Sequence, residues 1–269
     1  ESAQSMANRL EAVCWDDSLD DLVPELDGMP YVTVNLSSAT GKPRTSSILE
    51  FHRLNSPYIM SSSEGFADRL ASEAGLVARS KQKKGDSGGD STRGMIDIAG
   101  LAKACFRFDP NSVLHGVFLE KIDGRARLVR LLSAFIEAEN VKSAESGGVK
   151  LDRVQPRGSA KDGYGNVPFR RIEYVAERVT AYFSLDLATL GGYNLPEPAS
   201  RLLISLALWK IRKLLSGSLR LRTACDLEVK EFRVTRPSRF EIPGVDSLTA
   251  AVSKAIAECR QAQFFADPP

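Results

Sequence analysis

Histidine is scarce in this chain: His52 and His115 are the two in 269 residues. A zinc site or a histidine acid–base pair would have to use nearly all of that supply. The four cysteines, Cys14, Cys105, Cys225 and Cys259, are too far apart for a Cys-x-x-Cys ligand pair. Cys105 and Cys225 lie in apolar surroundings and read as buried thiols. A reduced, cytoplasmic protein without metal or cofactor is the expectation. No apolar run approaches the ~20 residues of a membrane span; the longest, Leu202 to Leu208, is broken by Ser205. A basic-then-apolar leader is missing too, so secretion is not indicated. Gly-x-Gly-x-x-Gly and phosphate-loop lysine patterns are absent, and no carboxylates are grouped with a basic activator and a nucleophile. These absences point away from an enzyme.

Hydrophobic residues make up 43% and charged residues 26%, which excludes disorder as the main state. The formal net charge is only +2, against histone-like nucleic-acid binding. The average hides a split. Residues 1–30 carry one base, Arg9, and eight acids; residues 201–222 carry six bases and no acid; residues 150–178 carry seven bases and four acids. Any one of these clusters is equally well a solvated face.

The spacing of Met6, Leu10, Val13 and Cys14 predicts a helix over 2–15, with Gln4, Asn8 and Glu11 on another side. The acidic run to Pro30 reads as a loop, Tyr31 to Leu36 as a strand, Ser46 to His52 as a second strand and Phe66 to Ala78 as a helix. Residues 79–94 read as a flexible basic loop and Ile96 to Cys105 as a short helix. Val113 to Lys121 and Arg127 to Glu139 read as strands joined through Asp123-Gly124, a hairpin signal. A long polar segment follows from Asn140 to Phe169. Val175 to Leu185 reads as a strand, 198–215 as a helix opened by Pro198, Leu219 to Lys230 as a strand and Val245 to Phe264 as a last helix.

Collected, these predict an α+β chain of one domain over 1–269. If one strand precedes Glu1, the order is that of a ferredoxin-like, split βαβ palm. Residues 16–112 are then a finger-like insertion, 140–197 a thumb-like insertion, and 245–264 a C-terminal helix.

Five ordered segments carry a resemblance: Glu1-Ser-Ala-Gln-Ser-Met-Ala-Asn-Arg-Leu-Glu11; Thr45-Ser-Ser-Ile-Leu-Glu50 with His52-Arg-Leu-Asn-Ser-Pro57; Asp109-Pro-Asn-Ser-Val-Leu-His-Gly-Val-Phe-Leu-Glu120; Gly163-Tyr-Gly-Asn-Val-Pro-Phe-Arg170; and Leu219-Arg-Leu-Arg-Thr-Ala-Cys-Asp-Leu227. Together they resemble the backbone subunit of the type I-G (formerly I-U) CRISPR Cascade, the Csb-one or Cas-seven group of the RAMP superfamily. Members of that family are longer at the N-terminus. The resemblance implies a crRNA-binding subunit that polymerises head-to-tail along the guide and presents it to target DNA. It also implies other Cascade subunits and a separate helicase–nuclease as partners.

Backbone binding to RNA needs Lys and Arg at phosphates, with short polar groups beside them. Gln4, Ser5, Asn8 and Arg9 form one candidate group at a helix start, with simple capping and a pairing of Arg9 to Glu1 or Glu11 as the plain alternative. Lys42, Arg44, Ser46, Ser47, His52 and Arg53 form a second around a strand; His52 is also readable as a satisfied core or edge histidine, and His115 as packing. Lys161, Arg170 and Arg171 flank the Gly-Tyr-Gly-Asn turn, where Tyr164 and Phe169 either wedge between bases or anchor the hairpin to its own body. Lys210 belongs to the basic run, and Arg220 and Arg222 share a strand face, either for phosphates or matched to Asp226 and Glu228. The apolar strand at 115–119 has one aromatic, so base stacking on a sheet face is not expected. Two rival functions remain: a RAMP-type endoribonuclease processing CRISPR RNA, with His52 as its acid–base group, and a multimerising structural protein without RNA.

Overall fold

The computed structural model describes residues 1–36, 44–62, 65–76, 95–217 and 219–266. The expected loop 79–94 and Lys42 lie outside them. The chain is α+β. It divides into two compact units: Phe135–Tyr182 with Glu1, and Ser2–Ala134 with Phe183–Pro269. Every sheet among the described residues is an antiparallel pair of strands.

The larger unit opens with α1 (Ala3–Ala12), where Ser2 caps by accepting from the Ser5 amide at 3.2 Å. Its Met6 and Leu10 are fully buried, as spacing predicts; Glu11, expected on the polar side, is buried with them. The acidic run is not simply loop. β1 (Trp15–Asp16) and β2 (Asp21–Leu22) pair across it, and a 3-10 turn follows at Pro24–Leu26. β3 (Thr33–Asn35) pairs with β4 (Arg44–Ser46). The strand expected to run to His52 stops at Ser46, because Leu49 and Glu50 turn back to donate to the Ser46 carbonyl. A 3-10 turn at Arg53–Asn55, α2 (Pro57–Met60) and α3 (Phe66–Glu73) follow.

α4 (Ile98–Phe108) and α5 (Pro110–His115) meet at Asp109. The Asp109 carboxylate accepts from the Asn111 amide at 2.9 Å and the Ser112 hydroxyl at 2.6 Å, with Pro110 in the first turn. That cap makes 110–115 helical where the apolar run suggested a strand. Gly116 then turns the chain at φ 80°, and a Cβ there would sit 2.9 Å from the Arg130 nitrogen and the Leu128 oxygen. The expected hairpin exists in short form: β5 (Val117–Phe118) pairs with β6 (Arg127–Leu128), and Asp123 accepts from the Arg125 amide at 3.0 Å in the turn.

β7 (Leu132–Glu139) pairs with β10 (Arg178–Leu185). Within the smaller unit the polar segment after Asn140 forms a hairpin: β8 (Lys142–Lys150) pairs along its whole length with β9 (Val167–Val175), and residues 151–166 connect them. Phe135 and Tyr182 stack at 4.9 Å.

A short α6 (Leu187–Gly192), which periodicity did not reveal, is capped by Asp186. The longest helix, α7 (Glu197–Ser216), buries Leu202, Leu203, Leu206 and Trp209 completely. Each such leucine stabilises by about 1.5–3 kcal/mol. α8 (Val245–Gln261) packs on α7 through Val252, Ala255, Ile256 and Cys259. Thr249 accepts from the Trp209 indole at 3.0 Å. Between them, the strand expected over 219–230 is a tight hairpin of β11 (Leu219–Arg222) and β12 (Cys225–Leu227), turned at Thr223-Ala224. Cys225 there is half-buried rather than enclosed.

Candidate nucleic-acid interface

Three of the expected cations, Arg9, Arg220 and Arg222, lie where α1 meets the β11–β12 hairpin. Arg9 donates to the carbonyls of Arg220 at 2.9 Å and Leu221 at 3.0 Å. It acts as a tie between segments 211 residues apart, instead of a simple surface cation. The alternation of β11 buries Leu219 and turns Arg220 and Arg222 to solvent. A register shift lies between them. Arg220 approaches Asp226 at 3.8 Å with both side chains more than half exposed, a pair of little energetic weight. Glu228 serves Lys230 instead. On α1, Gln4 and Asn8 are exposed and Ser5 half-buried. Six of the expected residues, Gln4, Ser5, Asn8, Arg9, Arg220 and Arg222, thus lie on two elements tied to each other.

Four others are interior. Arg53 donates to both Glu11 oxygens, at 2.6 and 2.8 Å, and to the Gly116 carbonyl at 3.1 Å. Lys210 is fully buried; its ammonium donates to Asn111 Oδ1 and meets His115 Nε2 at 3.0 Å. Asn111 Nδ2 closes the circuit to Glu11 at 2.9 Å. Ser46 and Ser47 are buried; the Ser47 hydroxyl accepts from the Val32 amide and bonds Asp109. These four leave the solvent-facing set. Arg44 is held by Asp20 through its carboxylate at 3.1 Å and its carbonyl. His52 is exposed at the entrance to the 3-10 turn, so it is not a core histidine.

The buried circuit has a definite protonation pattern. Burial holds the His115 imidazole well below its ordinary range, and Lys210, Arg53 and Arg130 add to that. The ring is neutral, and because Lys210 can only donate, Nε2 accepts and Nδ1 carries the proton. Nδ1 is buried without a hydrogen-bond partner. Burial pushes the Asp109 carboxyl up, against the lowering effect of its Ser112 and Ser47 bonds. Composition did not flag this circuit. The available signal was Glu11 beside Leu10 and one turn beyond Ala7, on the apolar side of α1.

In the smaller unit, Lys161 and Arg170 are exposed and Arg171 half-buried. Arg170 pairs with Glu145, and Arg171 with Glu173 at 2.9 Å. Tyr164 and Phe169 are both exposed. The segment 150–171, from the end of β8 to Arg171, has six bases against two acids. Its connecting loop is ordered by Asp152, which accepts from the amides of Val154 (2.8 Å), Gln155 (3.0 Å) and Gly165 (2.9 Å); these bonds hold its carboxyl below the usual range.

Among the described residues, no group of three or more His, Cys, Asp or Glu side chains is placed to hold a metal. No helix of the described residues is long and apolar enough to cross a membrane. The family described as CRISPR-associated protein GSU0053 matches residues 1–143, more than half of the chain. The matched stretch contains α1, Glu11, Arg53 and the Asp109-to-Gly116 cap, and ends at the start of β8, within the first two pairs of the β8–β9 hairpin. No curated protein matches the chain.

Proposed function

The chain belongs to the CRISPR-associated protein GSU0053 family, and on that premise we propose that it is a non-catalytic, crRNA-binding backbone subunit of a type I Cascade. The observation that carries this reading is the Arg9 tie, which presents Arg220 and Arg222 to solvent beside the polar side of α1. Cations fixed on rigid elements, with short polar groups beside them, suit a sugar–phosphate backbone. Base pairing by the guide then reads target DNA, and the protein reads backbone shape. Copies of the chain assemble head-to-tail along the guide, as a heterologous interface permits. Other Cascade subunits and a helicase–nuclease complete the complex.

In this reading the β8–β9 hairpin serves as the thumb, the elements around β7 and β10 as a ferredoxin-like palm, and the protein is cytoplasmic. Its basic segment over 150–171 and exposed Tyr164 and Phe169 support the thumb role. The non-catalytic reading is supported by His115, which is enclosed and out of reach of a substrate, leaving His52 as the one histidine that could act.

The test is purification of the chain with and without RNase. Co-eluting RNA, lost on RNase treatment and recovered as an intact CRISPR repeat, is the expected result. Protein free of nucleic acid overturns the binding. Cleavage of labelled repeat RNA that disappears in His52→Ala overturns the non-catalytic role.

A further inference from the structure

Phe51, Tyr58 and Phe118 stand exposed on neighbouring elements of the larger unit, outside the α1–β11 arginine site. Phe51 is 77% exposed, Tyr58 54% and Phe118 45%. Leaving such rings in water forfeits the burial that normally accompanies them. None of the three packs on another ring of the described residues.

The elements that carry the rings meet at one corner and are bonded to one another. The turn holding Phe51 is tied by Glu50, whose carboxylate accepts from the Thr45 hydroxyl at 2.7 Å and the Ser56 hydroxyl at 3.0 Å. Arg53, two residues on, is anchored to Glu11 and to the Gly116 carbonyl. Gly116 leads into β5, where Val117 points inward and Phe118 outward. Asn55 accepts from the Lys121 amide at 3.4 Å, joining the other side of the corner, and Ser56 caps the turn that carries Tyr58. The backbone under each ring is therefore fixed before any ligand arrives.

The surround is cationic. Arg127 is exposed directly across the β5–β6 pair from Phe118. Lys121 is exposed, with its ammonium 3.5 Å from the Ser61 hydroxyl, and His52 adjoins Phe51. Of the nearby carboxylates, Glu50 is engaged with two hydroxyls and Asp123 with Arg125, and Glu120, exposed between Phe118 and Lys121, is engaged as well.

We infer that Phe51, Tyr58 and Phe118 form a stacking platform for unpaired nucleic-acid bases, with Arg127, Lys121 and His52 meeting the adjoining phosphates. Rigid rings inside a cationic rim suit a single strand, because every base offers a face to an aromatic ring and every phosphate a charge to the rim. This inference rests on the nucleic-acid reading above and adds base contact to what was there only backbone contact.

The experiment compares wild type, Phe51→Ala, Phe118→Ala and Phe51→Trp on an unpaired oligonucleotide and on an abasic strand of equal length, by fluorescence anisotropy. Wild type is expected to bind the base-bearing strand more tightly. Each alanine variant is expected to lose about tenfold on that strand, the scale of one ring–base contact, and nothing on the abasic one. Tryptophan restores the affinity. The rings are exposed, so thermal unfolding of the variants should match wild type. Equal wild-type affinity for both strands, or alanine losses equal on both, overturns the platform and leaves backbone binding standing. No binding to either strand overturns the nucleic-acid reading and the platform with it. Unchanged strand binding with loss of self-association in Phe51→Ala assigns the rings to a protein contact and also overturns the platform.

Discussion

Arg53 grips both oxygens of Glu11, at 2.6 and 2.8 Å, in a place where neither side chain is more than a tenth exposed. Arg53 also adopts φ 52°, a left-handed conformation that costs an L-residue stability. The pair, with the Asn111 and Lys210 bonds around it, holds α1, the turn after β4, α5 and α7 to one another.

Removing one partner leaves the other charge buried and unpaired. Glu11→Ala or Arg53→Ala should therefore cost about 3–5 kcal/mol, read as a shift in the urea midpoint. The double variant should cost less than the sum of the two. Additive single losses would mean that the two side chains are not coupled.

His115 gives the stability an acid limit. Its native pKa is depressed, whereas the unfolded chain takes up the proton near pH 6.5. Below about pH 6.5 the unfolded state binds more protons, so stability falls with falling pH, by at most about 1.4 kcal/mol per unit from this group. Asp109 acts with the opposite sign: its native pKa is raised, so acid stabilises the native state between that value and the ordinary carboxyl range. Urea titrations from pH 7.5 to 5.5 should show a downward slope on acidification in wild type and a flatter one in His115→Gln. Equal slopes in both proteins would remove His115 as the cause.

α7 was legible because twenty residues repeat an apolar face and stop at Ser216-Gly217. The ends of other elements were not, since their determinants are elsewhere in the chain. The apolar run from Val113 suits a buried strand or a buried helix equally, and the Asp109 cap decides for helix. β8 has weak strand propensity of its own; its glycines fit because a Cβ at Gly147 would sit 2.7 Å from the Phe169 carbonyl oxygen across the pair. All six residues of the α1–β11 group were readable as polar and basic spacing, but the Arg9 tie that joins the two elements was not. That Arg53 and Lys210 belong to the interior was not, because their partners lie 42 and about a hundred residues away.

Arg9 and the β11 arginines have separable effects on RNA. Arg220→Ala with Arg222→Ala should lower the log–log salt slope by about 1.4 if each cation meets one phosphate of a single strand. Arg9→Ala removes the bonds that hold the hairpin to α1, so affinity should fall with no loss of the exposed cations themselves. Anisotropy titrations at several salt concentrations measure both. An unchanged slope in the double variant would take the hairpin off the RNA.

The tip of the β8–β9 hairpin offers a test confined to the smaller unit. Gly165 sits at φ 85°, and a Cβ there would lie 2.3 Å from the Gly158 carbonyl oxygen, a clash between backbone segments that no rotamer relieves. Gly165 also donates to Asp152, the carboxylate that orders the whole loop. Gly165→Ala should therefore loosen residues 151–166, leave the Glu11–Arg53 circuit intact and shift global unfolding little. Limited proteolysis should show faster cutting near Arg153, Arg157 and Lys161 in the variant. If that loop positions the guide, RNA bound by the variant should also become more open to nuclease. Rapid cutting with unchanged nuclease protection would keep the loop as a structural hairpin and remove it from the guide path. Unchanged cutting would mean that the Gly158–Gly165 approach does not hold the tip.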